Sequence, residues 1–144
     1  MKKIALLIVI VLSLYGYLDN NPDLIQSFTK QSTTDDSKLA CEYENLISDI
    51  QVGGSGVVIR NLVDDTSGSR HQKFILKLSS CQALLVSHNI DLAPRINSLR
   101  KGDTVNFYGE YEWNSKGGVV HWTHHDPRGK HVGGWLKHNG VTYQ

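Results

Sequence analysis

Residues 83–113 read ALLVSHNIDLAPRINSLRKGDTVNFYGEYEW, and this stretch decides the fold. Ala83 to His88 is a short apolar run that ends on polar residues, which predicts a strand. Leu92 to Leu99 has room only for a short helix, and Pro94 suits its first turn. Lys101-Gly102-Asp103 marks a turn, after which Thr104 to Trp113 alternates. Phe107, Gly109 and Tyr111 fall on one face of that strand, with Tyr108, Glu110 and Glu112 on the other. A strand, a small helix, a turn and a longer strand, in that order, form the centre of a five-stranded OB-like barrel.

Working outward, residues 56–63 predict a first strand that stops at the Asp64 to Gly68 turn cluster. His71 to Leu78 predicts a second, with Phe74, Leu76 and Leu78 opposed to Lys73 and Lys77. Ser79 to Gln82 makes a tight connection with Cys81 at its tip. Val119 to Thr123 predicts the fifth strand, and Asn139-Gly140 between Trp135–His138 and Val141–Tyr143 signals a type I′ hairpin. The fold class is therefore mainly β, an OB-like domain over residues 52–144. Ahead of it, Leu39, Tyr43, Leu46, Ile47 and Ile50 recur at helical spacing and predict one amphipathic helix over 38–50. Gly53-Gly54-Ser55-Gly56 reads as a linker between helix and barrel.

The N-terminus differs in kind. Lys2-Lys3 precedes an unbroken apolar run from Ile4 to Leu18, the pattern of a signal peptide or signal anchor over residues 1–18. Its fifteen residues fall short of the roughly 17 to 25 of a membrane span, and Tyr15 to Asp19 offers no clean small-x-small cleavage site. The expected location is the periplasm or the exterior, with inner-membrane anchoring if the leader stays on and no other membrane contact. Residues 19–37 form a polar spacer. In an oxidising compartment Cys41 and Cys81 are candidates for a disulfide.

Hydrophobic content of 40% and charged content of 20% exclude wholesale disorder. The net charge of +1 conceals a split: +2 over residues 1–18, −5 over 19–51, and +4 over 52–144, where eleven Lys and Arg face seven acids. All seven histidines lie in that last segment, so mildly acid pH raises its charge further. The balance is compatible with a polar or anionic ligand but does not demand one, because +4 spread over a domain is often just a solvated surface.

His71-Gln72-Lys73-Phe74, His88 to Ala93, Gly109 to Trp113, and above all His121-Trp122-Thr123-His124-His125-Asp126-Pro127 with Gly134-Trp135 resemble a bacterial family of small exported proteins. That family is known only as a domain of unknown function, number 3465. The likeness covers about residues 52–144 and implies no particular activity.

Two chemistries compete for the histidine-rich segment. His121, His125, Asp126 and His131 offer imidazole and carboxylate donors for a zinc-type ion, the basis of a metal-dependent hydrolase or nuclease with Asp126 or Asp91 as general base. On an extended strand, His121, Thr123 and His125 face one side, with Trp122 and His124 on the other. No His-Glu-x-x-His, paired-cysteine or Gly-x-Ser-x-Gly motif is present, so the balance leans away from an enzyme. The favoured reading is a binding module whose ligand meets Arg70, His71, His88, Asp91, Trp122, His124 and Arg128. After export, a glycan, a peptide or an envelope protein is a more natural partner than nucleic acid. A third reading makes the domain a structural or inhibitory partner of an envelope protein, docking through the early helix.

Overall fold

The computed structural model describes Tyr43 and residues 46–144. The described residues contain β1 (Ile50–Asn61), β2 (His71–Leu78), β3 (Ala83–Asn89), β4 (Thr104–Glu112), β5 (Val119–His121), β6 (Trp135–His138) and β7 (Val141–Tyr143). The strands pair in the order β1-β2-β3-β5-β4, and β1 pairs again with β4, which closes a five-stranded barrel. Every pairing is antiparallel except that of β3 with β5. The result is the mainly β, OB-like barrel expected from residues 83–113.

Closure depends on β1 serving two neighbours. Ile50 to Val57 pairs with β4, while Gly56 to Asn61 pairs with β2. Gly53-Gly54-Ser55-Gly56 is therefore part of a strand and not a linker. Across the β1–β4 pair Val52 opposes Gly109, Gly54 opposes Phe107 and Gly56 opposes Val105, so a glycine faces each larger side chain. At Gly56 an added Cβ would stand 2.9 Å from the Cβ of Leu76, so a side chain there would hold β1 away from β2. The barrel is filled by Val58, Phe74, Leu76, Leu84, Val86, Val105, Phe107, Tyr111 and Val120, all fully buried. Phe107 and Tyr111 do point inward together, as alternation along β4 requires.

Two expected helices are corrected. Residues 92–99 form turns rather than a helix. Ala93, Ile96 and Leu99 are buried and seal one end of the barrel. The buried amide of Gln72 donates to the carbonyl of Ile96 at 3.0 Å and accepts from its N–H at 2.9 Å. That side chain satisfies the backbone of a segment too short to repay helix nucleation. The helix expected over 38–50 does not extend to Ile50. Tyr43 is helical, but Leu46 and Asp49 have φ of 58° and 59°, and Ile50 already pairs with Tyr111 in the barrel. The leader, the spacer, Leu39 and Cys41 lie outside the described residues. Cys81 is an exposed thiol at the tip of the β2–β3 hairpin, with φ of 68°.

β5 and β6 pair with the same edge of β4, β5 at Glu110–Glu112 and β6 at Val105–Tyr108. The segment between them, residues 122–134, is an excursion from one sheet edge, and it carries three of the seven histidines. Asn139 and Gly140, with φ of 49° and 79°, form the expected two-residue turn between β6 and β7.

Candidate ligand-binding cleft

Trp122 sets the shape of the histidine-rich segment. Its backbone takes φ of 51°, a left-handed conformation uncommon for a bulky residue, and β5 ends at His121 as a result. The strict alternation expected through His125 is thereby broken: Thr123 and His124 are both buried, and His125 is exposed. The indole of Trp122 stacks on the ring of His131, with centroids 3.8 Å apart and planes 18° from parallel, and lies 5.2 Å from the ring of His124.

Asp126 organises the rest of the loop. Its carboxylate accepts the backbone N–H of Arg128 at 2.9 Å and of His131 at 2.8 Å, together with that of Lys130. The amides of Arg128 and His131 lead in holding its carboxyl down at about 2. Both oxygens are thus committed to folding the loop. The loop is tied back by Gly134, whose N–H donates to the carbonyl of His124 at 2.9 Å. An added Cβ at Gly134 would meet the carbonyl oxygens of Trp122 at 2.1 Å and Tyr108 at 2.4 Å, so this approach requires glycine.

The folded loop completes a cleft of about 380 Å³. Ser69 and His71 enter it from the start of β2, Ser87 and Asn89 from β3, Asp91 and Leu92 from the turn beyond, and His121, Trp122, His124 and Arg128 from β5 and the loop. Five of the seven residues expected to meet a ligand line it together: His71, Asp91, Trp122, His124 and Arg128. Arg70 stands beside the cleft, with its Nε 2.6 Å and its backbone N 2.7 Å from the carboxylate of Asp91. The backbone amide of Arg70 first, and then its guanidinium, hold the Asp91 carboxyl below the usual carboxylate range. Asp91 is thereby neutralised, whereas the guanidinium of Arg128 makes no ion pair among the described residues. The Nδ1 of His71 donates to the carbonyl of Ser69 at 2.7 Å, and that of His124 to the carbonyl of His125 at 2.8 Å. Each ring keeps its Nε2 for other partners.

His88 does not reach this surface. It is fully buried, with Nε2 donating to the carbonyl of Pro94 at 3.2 Å and Nδ1 accepting from the hydroxyl of Thr123 at 2.9 Å. Burial disfavours the imidazolium and lowers the pKa to about 4. Both ring nitrogens are engaged inside the protein, and its bond to Thr123 braces the wall behind the cleft.

The expected ligand set His121, His125, Asp126 and His131 does not converge. Among the described residues, the donors that do converge are Glu110, Glu112 and His121. Glu110 is the cross-strand partner of His121, and Glu112 lies two residues further along the same face of β4. The outward direction of both glutamates is readable from alternation; their pairing with His121 depends on the β4–β5 register, which is not. Asp91 and Asp126, the expected general bases, are both engaged: Asp91 faces Arg70, and Asp126 accepts three backbone N–H groups of its loop. Gln72, which holds the backbone of Ile96, and Thr123, which holds His88 behind the cleft, carry no sequence signal of those roles.

Residues 23–144 match the family described as "Protein of unknown function (DUF3465)", and the chain belongs to that family. The match begins well ahead of the barrel. No curated protein matches the chain.

Proposed function

We propose that this member of the DUF3465 family is a binding module that takes a polar, anionic ligand in the cleft between the β2–β3 face and the 122–134 loop. The observation that carries the reading is the convergence of His71, Asp91, Trp122, His124 and Arg128, from separated parts of the chain, on one cleft of ligand-binding size. Arg128 supplies its unpaired positive charge, and His71 and His124 add imidazoles that donate when protonated. The outer face of strands 2 and 3 is where OB barrels take extended ligands. Along it lies a second, more apolar cleft lined by Leu62, Ile75 and Leu85, which gives a chain-like ligand room to continue. The Lys2-Lys3 and apolar leader pattern supports action outside the cytoplasm, where a glycan is the natural anionic chain.

The test is equilibrium binding of a short sulfated oligosaccharide and of a single-stranded oligonucleotide to the full chain, compared with Arg128→Ala and with Lys137→Ala as an exposed control on β6. The reading expects saturable binding of the oligosaccharide that weakens with salt, falls roughly tenfold in Arg128→Ala, and is unchanged in Lys137→Ala. Equal binding by all three proteins, or no binding of either probe, contradicts it.

A further inference from the structure

We propose that Glu110, Glu112 and His121 form a divalent metal site on the outer face of β4 and β5, with zinc the ion that best fits its donors. The Nε2 of His121 lies 3.6 Å from Oε1 of Glu110 and 4.0 Å from Oε1 of Glu112. All three donor atoms fall within 4.8 Å of one another. These separations are too long for hydrogen bonds but close to the ~3.4 Å edge of a tetrahedron whose metal–ligand bonds are about 2.0–2.2 Å.

A second observation, independent of the acids, points the same way. The Nε2 of His121 is shielded from solvent and has no hydrogen-bond partner. A buried, unpartnered ring nitrogen costs free energy that a bound cation removes. The fit of the donors is also chemical: one imidazole and two carboxylates suit zinc, whereas calcium requires six to eight oxygens.

The site is fixed by paired strands rather than by a loop, since Glu110 and His121 are register partners. His131 approaches from the loop side, its Nδ1 3.7 Å from the other oxygen of Glu110. Its ring is held by the stack on Trp122 at the edge of the site, outside the three donors that converge. His121 also lines the cleft, so an ion held here would sit at the cleft wall. The metal site does not depend on the ligand-binding reading, and either can fail without the other.

The experiment is calorimetric titration of the untagged full chain, stripped with chelator, with zinc alone. Cobalt(II) follows as a spectroscopic probe of ligation. One zinc per chain is expected in the wild type and in His125→Ala, which removes an exposed histidine outside the site. Glu110→Gln and His121→Gln are each expected to weaken binding at least tenfold and to change the visible spectrum of the cobalt form. Circular dichroism establishes that each variant is folded. If a glutamine variant does not fold, Glu112→Gln on the same strand face provides the comparison. Binding of no more than trace zinc by the wild type overturns the proposal, as does equal affinity in folded wild-type and glutamine variants.

Discussion

The Nδ1 of His88 on β3 lies 2.9 Å from the hydroxyl of Thr123, two residues past the end of β5, so one hydrogen bond joins the barrel interior to the loop that walls the cleft. Burial of this imidazole makes stability sensitive to mild acid. His88 has an ordinary value near 6.5 when unfolded and about 4 when folded, so between those limits the unfolded chain binds more protons. The contribution of His88 is fully present above pH 6.5 and is lost as pH falls toward 4, by ~3 kcal/mol across the whole window. Urea unfolding at a series of pH values checks this. His88→Leu is expected to flatten the slope between pH 6.5 and 4, and an unchanged slope contradicts the assignment.

Acid should act on the loop at lower pH. Asp126 is held at about 2, below its ordinary 3.8, so its contribution is present above 3.8 and disappears as pH falls through 2. Asp126→Ala removes the acceptor of three backbone N–H groups at any pH. Hydrogen exchange at Arg128, Lys130 and His131 is expected to speed up roughly tenfold or more, with β2 and β3 unaffected.

Gln72 and Ile96 exchange two hydrogen bonds inside the barrel end. Gln72→Leu keeps the volume but strands the N–H and carbonyl of Ile96 in an apolar setting, at a cost of about 2–4 kcal/mol. Denaturant unfolding measures the loss. The cleft beyond the neighbouring turn is expected to loosen with it, seen as faster exchange at Asn89 and Asp91.

Gly134→Ala tests how closely the loop must approach β4. The new methyl meets two carbonyl oxygens, so overpacking is expected to cost ~1–3 kcal/mol or more and to move Trp122 away from His131. Loss of the ring-current shifts on His131 in a proton spectrum would report the movement.

The strands were legible where alternation is strong and the turn residues specific: β2, β6 and β7 fall at their expected limits, as does the Asn139-Gly140 turn. Reading failed where tertiary contacts override local preference. The glycines at 53, 54 and 56 look like a break until Phe107 and Val105 are known to lie opposite. The helical spacing of Leu46 and Ile50 gives way to pairing of Ile50 with Tyr111. Residues 92–99 lose their helix to a glutamine that is 24 positions away from Ile96. In the cleft, residue types were informative but partners were not. His71, His124 and Arg128 were singled out by their chemistry and come to line one cleft, whereas the burial of His88 and the use of Asp126 as a loop clamp follow from topology. Trp122 is the hinge of the difference, because its positive φ ends the alternation from which the histidine faces were read.

Chemical-shift mapping tests the central claim most directly. The full chain, labelled with nitrogen-15, is titrated with a short sulfated oligosaccharide at low salt, and the perturbed amides are located on the barrel. Binding in the cleft predicts saturable shifts concentrated at His71, Asn89, Asp91, Trp122, His124 and Arg128, including the indole N–H of Trp122. No saturable shift, or shifts centred on β6 and β7 away from the cleft, would contradict it.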